Sequence, residues 1–193
     1  WGFFDMHGNV WEWCLDGKGK YPNGSIIDPH QVSEDSGRVC RGGSWWTDAR
    51  NLRSANRGVF PLNTVDRVVG FRLCLKQLPE KKQASIAVEG KPWTVPSIGM
   101  EMIWCEPGTF MMGSPESEHG REVHETQHEV TLTEGFYLGK YEVTQEEYEK
   151  VMGKNPSTFK GKELPVEMVN WKDAMEFCSR LTELEKKEGR APE

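Results

Sequence analysis

Two hydrophobic periods divide this chain. Through residues 1–143 the apolar positions come in short runs with extended-strand character, at Val10–Cys14, Arg38–Arg41 and Gly70–Leu75, separated by turn clusters such as Tyr21-Pro22-Asn23-Gly24. From residue 144 the spacing lengthens to three and four. Thr144 stands where a helix cap should, with Glu147 at the third helical position, Tyr148, Val151 and Met152 on one face and Gly153 beyond the end. A second helix is predicted from Asn170 as cap to about Lys187, with Trp171, Ala174, Met175, Cys178, Leu181 and Leu184 along a buried stripe.

Composition narrows the fold. Eight tryptophans and twenty glycines in 193 residues fit a loop-rich domain pinned by large side chains and disfavour a helical bundle. Five cysteines, at 14, 40, 74, 105 and 178, include no C-x-x-C pair, and four of them sit beside apolar residues, so buried free thiols are expected. The formal charge of −6, from 24 basic and 30 acidic residues, gives no electrostatic ground for nucleic acid or an anionic membrane as partner. No apolar run approaches the roughly 18 residues of a membrane span. The compartment, extracytoplasmic or cytoplasmic, is not legible in these residues.

The chain reads as three segments. Residues 1–75 are rich in Gly, Trp and Arg; residues 76–97 mix charge and proline and read as a linker with one candidate strand at Ala84–Val88; residues 98–193 begin a new pattern at Met100-Glu101-Met102-Ile103-Trp104. The chain opens on Trp1 and stops at Ala191-Pro192-Glu193 straight after a helical stretch, so both ends read as cuts.

The densest chemistry lies at Asp5-Met6-His7-Gly8-Asn9-Val10-Trp11-Glu12-Trp13, which gathers two carboxylates, a Gly-Asn turn and two indoles. Hard cations want several oxygen ligands, which a turn can offer from carboxylates and carbonyls together, so the spacing reads as a calcium loop; turn-capping by Asp5 and Glu12 is the alternative. With Arg41-Gly42-Gly43-Ser44-Trp45 and Gly70-Phe71-Arg72-Leu73, the stretch resembles the C-terminal part of the formylglycine-generating enzyme (sulfatase-modifying factor) family. Residues 98–193 resemble the N-terminal half of the same family. The resemblance implies an α+β fold, the family's variant of the C-type lectin fold, with short antiparallel strands and two flanking helices. It implies calcium held by Asp5, the carbonyls of Gly8 and Val10, and Glu12.

The halves stand in reverse order, as in a fragment cut across a tandem array or a circular permutation. A central stretch of the family is missing from either arrangement, so closure through a second copy of the chain is one expectation. Another is closure in cis, with Gly70–Leu75 antiparallel beside a strand near Met102–Trp104 and the helix from Asn170 packed on the shared sheet around Trp104, Phe71, Leu73 and the Trp171/Met175/Cys178 stripe.

In the oxidases of this family, a thiol pair that binds Cu(I) follows the Gly-Gly-Ser-aromatic motif. Here the first thiol position falls on Thr47 and the second near Leu52, and neither side chain can replace a thiolate, so no copper is expected. Ser44 and Trp45 match the family's substrate groove, and Trp11 lies either beside it or in the core. Arg50, Arg53 and Arg57 can grip a carboxylate or a peptide backbone, or serve as structural ion pairs. The expected partner is a peptide, a protein or a small polar ligand. Three functions stay open: a calcium-stabilised binding scaffold, part of a family oxidase or sulfoxide synthase whose catalytic residues lie elsewhere, or an accessory module of a multidomain protein.

One pattern is rejected. His124-Glu125-Thr126-Gln127-His128 spells H-E-x-x-H, but a helix is needed to bring its imidazoles together. Gly120 precedes it and His128–Thr133 alternates like a strand, where residues four apart stand about 13 Å from each other. A fortuitous metal site from His119, His124 and His128 is the lesser alternative.

Overall fold

The computed structural model describes residues 1–30, 37–76 and 90–190, so the candidate strand at Ala84–Val88 lies outside the described residues. Eleven short strands form three sheets among those residues. In the first, β1 (Trp11–Gly17) is central: β3 (Arg38–Arg41) runs antiparallel to it, β4 (Gly58–Phe60) antiparallel to β3, and β5 (Val69–Gly70) parallel to β1 on its other side. The second sheet sets β10 (His128–Leu132) between β2 (Ile26–Ile27), parallel, and β9 (Gly108–Met112), antiparallel. The third is antiparallel throughout, in the order β6 (Cys74–Leu75), β11 (Phe136–Gly139), β8 (Met100–Cys105), β7 (Trp93–Val95).

Both helices start and stop where their side chains dictate. In α1 (Gln145–Met152) the Thr144 hydroxyl accepts the Glu147 N–H while the Glu147 carboxylate accepts the Thr144 N–H, and Gly153 ends the helix at φ 72°. In α2 (Trp171–Lys187) Asn170 and Asp173 make the same reciprocal pair. Sheets and helices together make the α+β fold that the resemblance implied.

The two segments share one core. Cys74–Leu75 and Ile26–Ile27, from the first, are strands of sheets otherwise built from residues 93–139, so Trp93–Val95, within the expected linker 76–97, is a strand of the third sheet. Phe71 meets Tyr148 and Phe177 edge-on at 6.3 and 5.3 Å, and the Tyr148 and Phe177 rings stack at 5.5 Å. Indoles tie helix to sheet in both directions: Trp13 Nε1 donates to the Val169 carbonyl at 3.0 Å and Trp171 Nε1 to that of Cys14 at 3.1 Å.

Three expectations need correction. Gly70–Leu75 is not one strand beside Met102–Trp104: Val69–Gly70 joins the first sheet, Cys74–Leu75 the third, and β11 stands between Cys74–Leu75 and β8. Between the two short strands Arg72 is buried and bonds to both sheets, to Glu12 of β1 and to the Gly139 carbonyl of β11, which the chain accommodates by crossing from one to the other. The inward stripe of α2 is Ala174, Phe177 and Leu181, whereas Met175 is exposed, so the apolar arc is rotated from the one read in the sequence. All five cysteines are free, but Cys74 is exposed because it lies on an edge strand.

Candidate functional site: a carboxylate cluster around Arg72

The turn before β1 is tightly wound. Asp5, Gly8 and Asn9 adopt positive φ values of 53°, 91° and 57°, a conformation that Asn and Asp tolerate better than most side chains. The Gly42–Leu52 loop holds the turn: Gly8 N–H donates to the Gly42 carbonyl, Trp45 N–H to that of Asn9, each at 2.9 Å, and the His7 ring bonds the Leu52 carbonyl.

Arg72 lies beneath this turn, buried and fully engaged. Its Nε and Nη2 donate to Glu12 Oε1 at 3.0 and 2.8 Å, Nη1 to the carbonyls of Gly139 and Lys140, and Nη2 also to that of Phe4. Glu142 Oε2 is 3.5 Å from Nη2, and Glu142 Oε1 accepts Asn9 Nδ2 at 3.2 Å. Glu12 and Glu142 thus share one guanidinium, and the charge of Asp5 reaches both carboxylates. Burial pushes the Glu142 carboxyl up to about 7, and the neighbouring charges of Glu12 and Asp5 add to the rise that Arg72 only partly offsets. Glu12 is raised as well, again chiefly by burial against the pull of Arg72. Arg72 and Glu142 were not named as site residues from the sequence, although Arg72 stood in the quoted Gly-Phe-Arg-Leu motif.

The loop after Gly42 brings Thr47 and Leu52 together. A Cβ placed on Gly43 would collide with Leu52 Cδ2 and lie 3.4 Å from Thr47 Cγ2, so Thr47 and Leu52 flank one point. Ser44 is buried here, its Oγ 2.9 Å from Thr47 Oγ1, which also accepts the Ser44 N–H at 2.9 Å. Trp45 is half-exposed, edge-on to Trp46 at 5.4 Å and to Phe159 at 5.9 Å. Trp11 is buried beneath the loop against Phe60, which places it in the core.

The three arginines do not converge on a groove. Arg50 is exposed and folds back on Asp48 at 3.0 Å. Arg53 reaches into the second segment, where Nη1 and Nη2 meet Glu125 at 2.7 and 2.9 Å and Nη1 also meets Glu118 at 2.9 Å. Arg57 lies 3.8 Å over the Tyr21 ring and donates to the Gly19 and His124 carbonyls. Glu125, the would-be general base of H-E-x-x-H, is therefore a structural anion. His128 packs on Tyr21 with ring centres 4.6 Å apart, and His124 pairs with Glu122. Among the described residues, no three His, Cys, Asp or Glu side chains come together as a metal-holding group.

Comparisons with known proteins place the chain in a family. Over 50 residues the chain is 62% identical to the chaperone protein LppX of Paenibacillus barcinonensis, a match that takes in 26% of this chain and only 18% of that relative. The solved structure of PvdO from Pseudomonas aeruginosa aligns with 53% of this chain and 46% of its own, at 26% identity and a TM-score of 0.45. The model of the sulfatase-modifying factor enzyme 1-like domain matches residues 1–77 and 91–188. The chain belongs to that family.

Proposed function

We propose that this chain is a non-oxidising member of its family: a calcium-stabilised scaffold, on the family's variant of the C-type lectin fold, that binds a ligand or protein beside Trp45. The observation that carries the reading is the meeting of Thr47 and Leu52 at Gly43. The place that the oxidases of the family equip with two thiolates holds a hydroxyl, already bonded to Ser44, and an isobutyl group. Neither is a ligand for Cu(I). The chaperone label of the LppX relative points toward protein binding in the same way, although the match covers a minor part of both chains.

The surroundings of Asp5 and Glu12 suit calcium. Burial is the main cause of the raised Glu142 and Glu12 pKa values, and these two largely buried carboxylates share one guanidinium with exposed Asp5 nearby, an excess of negative charge. A divalent cation relieves it. Glu12 Oε1 is committed to Arg72, but a carboxylate has a second oxygen, and the carbonyls of Gly8 and Val10 would complete the shell. The test is thermal unfolding of chelated protein titrated with Ca²⁺, which raises the melting temperature of any protein that binds it only when folded. The shift should vanish in Asp5→Ala; identical melting curves with and without Ca²⁺ in the native chain would sink the calcium reading.

A further inference from the structure

A small pocket of about 200 Å³ opens between Trp45 and Phe159, at the seam of the two segments. Its walls are largely apolar, with Val10, Leu164 and Pro165 beside the two rings, yet it carries one acidic and one basic side chain. Glu167 is 3% exposed. Its Oε1 accepts the Phe159 N–H at 2.8 Å, while Oε2 is buried with no hydrogen-bond partner among the described residues. The backbone of Glu167 is pinned by Ser157, whose Oγ accepts the Glu167 N–H at 3.1 Å, so the carboxylate cannot easily withdraw. Arg67 is exposed and, among the described residues, has no ion pair of its own. Opposite charges thus line one pocket without pairing with each other, and an unpaired buried carboxylate oxygen is costly unless something supplies a donor.

We propose that this pocket takes a free α-amino acid with an apolar side chain. Its ammonium meets Glu167 Oε2, its carboxylate meets Arg67, and its side chain lies against Trp45 and Phe159. The pocket is smaller than the roughly 300–1,000 Å³ typical for drug-sized ligands, which suits a single amino acid and not an extended peptide. Internal peptide residues, moreover, have neither free charge. Oε2 is closed to solvent, so the ammonium reaches it only once side chains lining the pocket shift. The assignment rests on the reading of the chain as a binding domain and specifies its ligand.

Calorimetric titration of the purified chain with L-leucine, L-leucine methyl ester and N-acetyl-L-leucine tests it. Each derivative removes one charge and should bind about tenfold more weakly than leucine, the scale of one lost charge-assisted hydrogen bond. Arg67→Ala should bring leucine down to the level of its ester, and Glu167→Gln, which keeps an acceptor for the Phe159 N–H, down to that of N-acetyl-leucine. Arg67→Ala removes an exposed side chain and so keeps the test valid if Glu167→Gln fails to fold. Absence of saturable binding of leucine, phenylalanine and methionine by the native chain overturns the proposal, as do derivatives that bind as well as leucine. Melting curves with Ca²⁺ on the same samples separate the two readings: a calcium shift without amino-acid binding overturns the pocket assignment alone, and binding without a calcium shift overturns the calcium reading alone.

Discussion

Arg53 and Glu125 close a two-pronged ion pair, at 2.7 and 2.9 Å, that joins the first segment of the chain to the second. Glu125 is wholly buried and Ser114 Oγ donates to the same carboxylate at 2.8 Å, so both oxygens are satisfied. A charge buried this way is costly to orphan, and the pair fixes how the segments meet.

Arg53→Ala should therefore destabilise the chain by about 3 kcal/mol, read as a shift of the urea midpoint, because it leaves Glu125 buried and unpaired. Burial alone would raise the Glu125 pKa, but the hydrogen bonds from Arg53 and Ser114 outweigh it and hold the carboxyl below its usual 4.5. A depressed pKa contributes stability above the unfolded value that is lost as pH falls through the folded one. The native chain should lose this contribution below about pH 4.5, and Glu125→Gln should show a flatter acid limb.

Glu142 acts in a different window and with the opposite sign. Its carboxyl is raised to about 7 from 4.5, so the folded state holds a proton that the unfolded state has released between these values. The contribution is full below pH 4.5 and is lost as pH rises through about 7. In chelator, stability should fall from pH 5 to pH 8, and Glu142→Gln should remove much of that slope. An unchanged slope in the variant would show that Glu142 is not the group responsible.

Restoring thiols at positions 47 and 52 tests the placement of the oxidase site. Because both side chains pack against Gly43, Thr47→Cys with Leu52→Cys should gain Cu(I) affinity that neither single variant shows, measured by competition with a chromogenic chelator. If the double variant binds Cu(I) no better than the native chain, these positions do not correspond to the thiol pair.

Phe177 anchors α2 in the shared core, fully buried between Phe71 and Tyr148. Phe177→Ala should cost about 3–5 kcal/mol by emptying that position. Met175→Ala, on the exposed side of the same helix, should cost far less, and equal losses for the two would mean that the helix is rotated from the orientation described.

The sequence by itself determined whatever a few adjacent residues settle among themselves. Thr144 with Glu147 and Asn170 with Asp173 start the helices, Gly153 ends α1, and Arg38–Arg41 is a strand with the bounds its pattern suggested. For the helix ends local rules suffice because each partner lies within four residues. The tertiary structure decided everything that depends on distant partners. Glu12 gains its character from burial beside Arg72, 60 positions away, and Arg53 is a strut and not a ligand-gripping residue because Glu125, 72 positions away, meets it. Gly70–Leu75 reads as one strand in the sequence, but the fold divides it between two sheets around buried Arg72. Glu167 gave no signal at all, since a carboxylate left unpaired in a pocket can be recognised only once the fold has closed around it.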